Sequence, residues 1–294
     1  MRRRSAIAVG CLLFLSGGAQ AVDTPGAEPA GSYRWIAKAP WFGGFSGIEM
    51  SDDGMSMLAL SDRSILVSAK LRREDGRVSG AEVTSANWVR SSKNKPLLGR
   101  AGDSEGLAVA PDGGHYISFE GVHRLARYAD PESRSEVLPR PNAFKHLAGN
   151  GSFEPLAIDD QGRLYTMPES SRAVDGTIPV YRWDGKRWST PFKLPPRGDY
   201  LPVGADFGPD GRLYVLERAT GALGFRSRLR RWTVSDTAAT QEETILDTRA
   251  GTHENLEGVS IWRDAKGKLR ATMISDDNFV FFLRTEIVEY TLPE

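Results

Sequence analysis

The feature that most constrains this chain is a recurring strand–turn–strand unit that starts and ends beside acids. The clearest copy runs Asp103-Ser-Glu-Gly-Leu-Ala-Val-Ala-Pro-Asp-Gly-Gly-His-Tyr-Ile-Ser-Phe-Glu120. Apolar residues alternate on both sides of an Asp-Gly pair, a short-range hairpin signal. Related units open at Phe45, Phe153, Pro202 and Leu256 and close at Asp62, Glu169, Glu217 and Asp276. Their turn glycines fall at 54, 113, 162, 211 and 267, a spacing of roughly 50 residues. Self-similarity at that period with strand content predicts β-propeller blades, since one such unit buries its faces only against its neighbours.

Further strand-like segments follow the hairpins, at residues 65–71, 178–183 and 227–234 among others, and bring each unit to four short strands. The last unit is one strand short, whereas the segment 33–38 ahead of the first hairpin has no partner there. Joining the two termini in one blade closes the ring and hides both sheet edges. The expected fold is therefore all-β, a propeller of five four-stranded blades closed by an N-terminal strand in the C-terminal blade. A sixth blade stays open if residues 87–100 hide a degenerate strand pair.

The N-terminus reads as a signal peptide over residues 1–21. Arg2-Arg3-Arg4 is the basic region, residues 6–15 are apolar, and Ala19-Gln20-Ala21 is a small-x-small cleavage site. The apolar run is short for a bilayer span. Cys11 follows Gly10 as a lipoprotein cysteine would, but Leu12-Leu-Phe-Leu15 continues the apolar region past it. Export to the periplasm or medium is expected, with residues 22–32 a disordered leader rich in Ala, Gly and Pro, and 33–294 a single propeller domain. Cys11 is the sole cysteine and would leave with the signal, which removes disulfides, thiolate metal sites and a cysteine nucleophile. The full chain balances 38 basic against 38 acidic residues, so no global field draws it to nucleic acid or membrane. A monomer handling a small anionic substrate or a periplasmic ligand is expected.

Hairpin geometry carries the functional argument. The strands are antiparallel, so residues just before the first and just after the second lie at one end, opposite the turn. The entry positions are Ser46, Glu105, Glu154, Val203 and Glu257, and the exit positions are Asp62, Glu120, Glu169, Glu217 and Asp276. Eight of these ten are carboxylates, which predicts a ring of acids at one mouth of the channel. Acids that close raise one another's pKa unless something positive sits among them. Ca²⁺, with its preference for several oxygen ligands, suits acids together with Asn278 and backbone carbonyls. Alternatively Arg63, Arg124, Arg172 and Arg218, each close behind an exit acid, supply the balance as an inter-blade ion-pair ring.

Other chemistry is sparse. Gly44-Phe-Ser-Gly-Ile48 falls short of G-x-S-x-G and lacks its α/β context, so Ser46 reads as a turn residue. The four histidines have no metal-ligand spacing; His115, straight after a turn, reads as surface, and His253 is the one candidate general acid or base. Trp183, Trp188, Trp232 and Trp262 fall in strand positions and read as packing between blades. No phosphate-binding glycine loop or basic nucleic-acid patch occurs.

Ser104-Glu-Gly-Leu-Ala, Asn255-Leu-Glu-Gly-Val and Ile274-Ser-Asp-Asp-Asn278 resemble the bacterial phytase-like β-propeller family, also described by an esterase-like activity of phytase. The resemblance covers about residues 40 to 292. Glu-Gly before a strand also occurs in gluconolactonase-like propellers, where that glutamate is a metal ligand. The resemblance thus implies Glu105 and Glu257 as ligands, with Asp276, Asp277 and Asn278 beside them. The Asp-Asp-Pro-Ala and Asn-Asn-x-Asp-x-Arg motifs of β-propeller phytases are absent, and Asp276-Asp-Asn278 is a fragment in that direction.

The expected activity is metal-dependent hydrolysis of phosphate or carboxylate esters. Glu105, Glu154, Glu257, Asp62 and Asp276 would hold Ca²⁺, with Glu120, Glu169, Glu217 and Asn278 as further ligands, and the arginines would bind an anionic substrate. Two alternatives stand beside it: a non-catalytic binding propeller whose acids are structural, and a lactonase using the same metal site.

Overall fold

The computed structural model describes residues 26–147 and 151–294. The expected signal peptide, with Cys11 and the start of the leader, lies outside these residues.

Among the described residues, twenty strands form five four-stranded antiparallel sheets. The first strand, β1 (Glu28–Arg34), joins the last blade. Blade 1 is β2 (Phe45–Met50), β3 (Ser56–Ser61), β4 (Ile65–Glu74) and β5 (Arg77–Trp88). Blade 2 is β6 (Ser104–Val109), β7 (His115–Phe119), β8 (Arg124–Tyr128) and β9 (Glu136–Val137). Blade 3 is β10 (Phe153–Ile158), β11 (Leu164–Pro168), β12 (Ile178–Trp183) and β13 (Trp188–Leu194). Blade 4 is β14 (Leu201–Phe207), β15 (Leu213–Gly221), β16 (Gly224–Val234) and β17 (Ala239–Asp247). Blade 5 is β18 (Asn255–Arg263), β19 (Leu269–Asp276), β20 (Glu286–Thr291) and β1, in that order.

The ring closes through an N-terminal strand as expected, but over Glu28–Arg34 and not 33–38, with β1 antiparallel to β20 from Glu28↔Thr291 to Arg34↔Glu286. The strand begins at Glu28, so residues 28–32 of the expected leader are paired backbone. Pro29 and Gly31 disguise it, having low strand propensity, and the ladder slips between them. Trp35 then stacks on Phe45 at 5.0 Å and ties the closing blade to blade 1. A sixth blade is ruled out. Asn87 and Trp88 end β5, and the connection to β6 holds two isolated bridges of Arg90 and a short 3-10 turn at Gly99–Gly102.

The first two strands of every blade share one irregularity. The ladder slips between Phe45 and Gly47, Ser104 and Leu107, Phe153 and Leu156, Pro202 and Gly204, and Leu256 and Gly258. The slip falls at the entry positions, and a bulge re-aims the extra side chain while sharpening the strand twist. It also lets neighbouring blades touch through backbone. A Cβ on Gly106 would strike the Glu154 carbonyl oxygen, one on Gly204 the Glu257 carbonyl oxygen, and one on Gly258 the backbone of Gly47 and Ile48. The inner strands consequently pinch the channel to a void of about 10 Å³ lined by Gly47, Gly106, Gly204 and Gly258.

His115 departs from expectation. It is buried, not on the surface, and stacks on Tyr128 with ring centroids 5.2 Å apart. Being the first residue of β7, it takes an inward position of the strand, and burial pushes its pKa down to about 4. Trp183, Trp232 and Trp262 are buried and Trp188 half-buried.

Candidate functional site

The bulges carry Glu105, Glu154 and Glu257 into the acid mouth, each half-buried. Glu120 and Glu169 stand immediately after β7 and β11, Asp62 after β3, and Asp276 closes β19. Burial raises the Glu105 carboxyl well above its usual value, and Glu154, Glu257, Glu120 and Asp103 push it further. Glu154 is raised in the same way, by burial first and then by Glu169 and Glu257. Burial lifts Glu257 to about 8 although Arg218 opposes it; Asp62 goes to about 7, by burial and Asp276, and Asp276 to about 6. Acids from separate blades therefore share one electrostatic site.

Its two sides differ. On the blade 4 side, Arg218 donates to Glu169 at 2.7 Å, to Asn255 at 2.9 Å and to Glu257. Burial works against the charge on Arg218, but Glu257, Glu154 and Glu169 outweigh it and hold the guanidinium pKa above its ordinary value. On the blade 2 side, carboxylate oxygens of Asp103, Glu105 and Glu120 lie within 4.8 Å of one another. Among the described residues none of these three makes an ion pair. Glu120 accepts the N–H groups of Gly151 and Ser152, and Asp103 is raised by burial and by Glu120.

Glu217 is not in the ring. It is 1% exposed and accepts from Arg228 Nε at 2.7 Å and Arg230 Nε at 2.9 Å, in a buried cluster joined by Glu242. Glu217 pairs with Pro202, the place that Phe119 and Pro168 take opposite Ser104 and Phe153, so the residue at the exit position of blade 4 is Arg218. Alternation along the strand then turns Glu217 and Arg218 to opposite faces, and the arginine takes the channel side.

The remaining candidates sit on the rim. Arg63 lies 3.2 Å from the centroid of the Phe279 ring and Arg124 3.8 Å from that of Phe119. Arg124 also donates to the Ala101 and Val122 carbonyls, and Arg172 to those of Glu169 and Ser171. Asn278 donates its N–H to Asp276 at 2.6 Å. Asp277 accepts the N–H groups of Gly44 and Phe279, so it staples a connection. His253 stands apart, its Nε2 2.6 Å from the Tyr290 hydroxyl on the third strand of blade 5, and burial lowers its pKa.

Sequence reasoning passed over Asp103 as a ligand, although it opens the repeat two residues ahead of Glu105. It also missed the opposite mouth, where a cavity of about 960 Å³ is lined by Glu49 and Asp206. Burial and Asp206 raise Glu49 well above its usual value, and burial lifts Asp206 to about 7. Asp206 accepts the Ile261 N–H at 2.6 Å, while Glu49 faces the Val109 N–H at 3.3 Å and the Ser260 hydroxyl at 3.4 Å. This pair stitches inner strands of blades 1, 2, 4 and 5; Asp52, Asp159 and Asp160 also line the cavity, but among the described residues only the blade 2 acids bring three carboxylates within 4.8 Å of one another.

A family model described as "Phytase-like: Esterase-like activity of phytase" matches residues 40–279. The chain belongs to this family. A search of curated proteins gave no match. Among solved structures, the phytase-like chain is 14% identical to an α-L-arabinofuranosidase from Podospora anserina in complex with cellotriose, with a TM-score of 0.55 over 92% of this chain and 98% of that one. It is 12% identical to the catalytic domain of a GH62 α-L-arabinofuranosidase from Coprinopsis cinerea, with a TM-score of 0.54 over 92% and 97%. A virginiamycin B lyase from Staphylococcus aureus is 14% identical with a TM-score of 0.43, over 90% and 74%. At such identities the first two share the fold and nothing more is carried over; the third carries no argument.

Proposed function

We propose that this phytase-like propeller is an exported, metal-assisted ester hydrolase working at the acid mouth. The observation that carries the reading is the blade 2 cluster of Asp103, Glu105 and Glu120, three acids gathered without an ion-pair partner among the described residues, opposite a side where Arg218 does the balancing. Uncompensated carboxylates cost free energy when partly dehydrated, and a hard divalent cation relieves that cost in place of shared protons. The all-oxygen donor set suits Ca²⁺, with Glu154 beside it. When bound, such an ion supplies a Lewis acid for the ester oxygen and a water of lowered pKa.

The chain's own groups would do the rest. Glu154, raised by burial and by Glu169, retains a proton above the usual carboxylate range and stands as the proton carrier. Arg218 fixes the orientations of Glu169 and Glu257. Arg63 and Arg124 would present guanidinium edges to an anionic substrate from the rim. The family's esterase-like description supports this reading.

The test is thermal unfolding of the mature protein with millimolar Ca²⁺ and with chelator, beside metal analysis and panels of carboxylate esters, phosphoesters and lactones. Ca²⁺ at a hundredfold excess over its Kd should add about 2.7 kcal/mol, or about 5–10 °C for a chain of this size. Glu105→Gln should remove the shift and the metal-dependent turnover. No shift and no bound metal would leave the acids structural and overturn the mechanism.

A further inference from the structure

The acid mouth has an apolar rim. The six most exposed large apolar side chains among the described residues are Ile36 at 64%, Leu98 at 63%, Val174 at 111%, Leu223 at 82%, Phe281 at 96% and Phe282 at 65%. All six stand on connections that emerge at the acid face: β1–β2, β5–β6, β11–β12, β15–β16 and, for both phenylalanines, β19–β20. The hairpin turns of the opposite face contribute only Met55 to the exposed set, at 45%. Exposed apolar residues scattered singly need no explanation, but their segregation to one face around a recessed charged site marks a binding surface.

One part of this rim is joined to the ring itself. Asp277 holds the base of the β19–β20 connection by accepting from Gly44 N–H at 2.9 Å, Phe279 N–H at 3.0 Å and the Thr285 hydroxyl at 3.1 Å. Asn278 and Phe279 are both left-handed, with φ of 49° and 51°, a strained backbone for a bulky residue. The Phe279 ring lies on Arg63 and occupies the space over Gly44, beside Asp62. Beyond it Phe281 and Phe282 meet edge to face at 5.3 Å. Next to this arm is a notch of about 250 Å³ lined by Leu223, Phe225, Leu283 and His253, with Arg284 and its partners Glu254 and Glu286 on its other wall.

We propose that the mouth takes an amphiphilic ester, its polar group at the acids and its alkyl or acyl part against the Phe281–Phe282 arm and the notch. This rests on the ester-hydrolase reading. A flat partner, whether bilayer or protein, would have to cap all five connections and strip water from the charged groups of the mouth, the Arg218 ion pairs with Glu169 and Glu257 among them, which is costly. A single amphiphile covers the apolar arm and leaves the rest of the mouth wet.

The experiment separates this inference from the hydrolase reading by using uncleaved amides. Calorimetry on the mature protein compares N-methyloctanamide with N-methylbutanamide, and the longer amide should bind at least about tenfold tighter. Phe281→Ser with Phe282→Ser, and separately Leu223→Ser, should bring the ratio towards one; all three side chains are exposed, so the variants should fold. Equal affinities, or a ratio untouched by both variants, overturn the proposal. So does pelleting with phosphatidylcholine vesicles that neither amide displaces, which would assign the rim to a bilayer. If the chain-length preference holds while no ester is turned over, the hydrolase reading fails and the amphiphile site stands; hydrolysis without the preference gives the reverse.

Discussion

Arg218 on β15 and Glu257 on β18 meet across the seam between blades 4 and 5, and the same guanidinium reaches Glu169 of blade 3 at 2.7 Å. One base thus ties three blades together. Arg218→Ala would leave two partly buried carboxylates without a counter-charge, at a cost of about 3 kcal/mol. Arg218→Lys should recover only part of this, because an ammonium lacks the planar fork that serves two carboxylates at once. Urea unfolding of the metal-free proteins measures both, and wild-type stability in the alanine variant would show that the pair is idle.

The raised carboxyls set the direction of the pH dependence. Glu257 at about 8 and Asp62 at about 7 lie above the value of about 4 that they have in an unfolded chain. Between those limits the folded state binds more protons than the unfolded one, so stability falls as pH rises. The metal-free protein should therefore unfold at a lower urea concentration at pH 8.5 than at pH 5.5. Saturating Ca²⁺ should flatten the trend, as the cation takes the place of the protons. A metal-free midpoint that climbs with pH contradicts the coupled ring.

Glu217 gives the converse test, since it is an acid one residue short of the ring position that Arg218 holds. Glu217→Gln strips the anion from Arg228 and Arg230, which are 8% and 0% exposed, and should cost about 3–5 kcal/mol. The Ca²⁺-dependent shift in melting temperature should survive unchanged. A variant that loses the shift at little cost in stability would return Glu217 to the ring.

Two glycines separate backbone conformation from space. Gly106→Ala drives a methyl group into the Glu154 carbonyl and the Leu156 side chain, and should cost about 3 kcal/mol or more or prevent folding. Gly162→Ala meets no neighbour within 4 Å, but its φ of 74° is left-handed, so about 1–2 kcal/mol is expected. Chemical unfolding of the two variants ranks them; equal costs would mean that the blades do not touch through backbone at Gly106.

Much of the architecture is written in neighbouring residues. Period-two alternation and an Asp-Gly or Gln-Gly turn are local signals, and the five turn glycines, 54, 113, 162, 211 and 267, all have positive φ. The unpaired terminal strand pointed to a ring closed between the two termini, but the count of five over six was decided by residues 87–100, which hold no strand pair of their own. The start of β1 was hidden because Pro29 and Gly31 look like leader, and only pairing with β20 overrides their propensity. His115 was misplaced because a turn beside a residue does not say which way the next strand position faces.

The candidate site divides in the same way. The sequence by itself determined that acids would gather at one end of the blades, because antiparallel hairpins bring entry and exit residues together whatever the packing. Only the tertiary structure decided which acids share a site. Side-chain direction flips with a shift of one residue, so the bulges at Glu105 and Glu257 and the choice of Arg218 over Glu217 at the exit of blade 4 were settled by ladder register. Whether a carboxylate then meets an arginine, as Glu257 does, or other acids, as Glu105 does, depends on side chains from other blades, far away in the chain and adjacent only once the ring has closed.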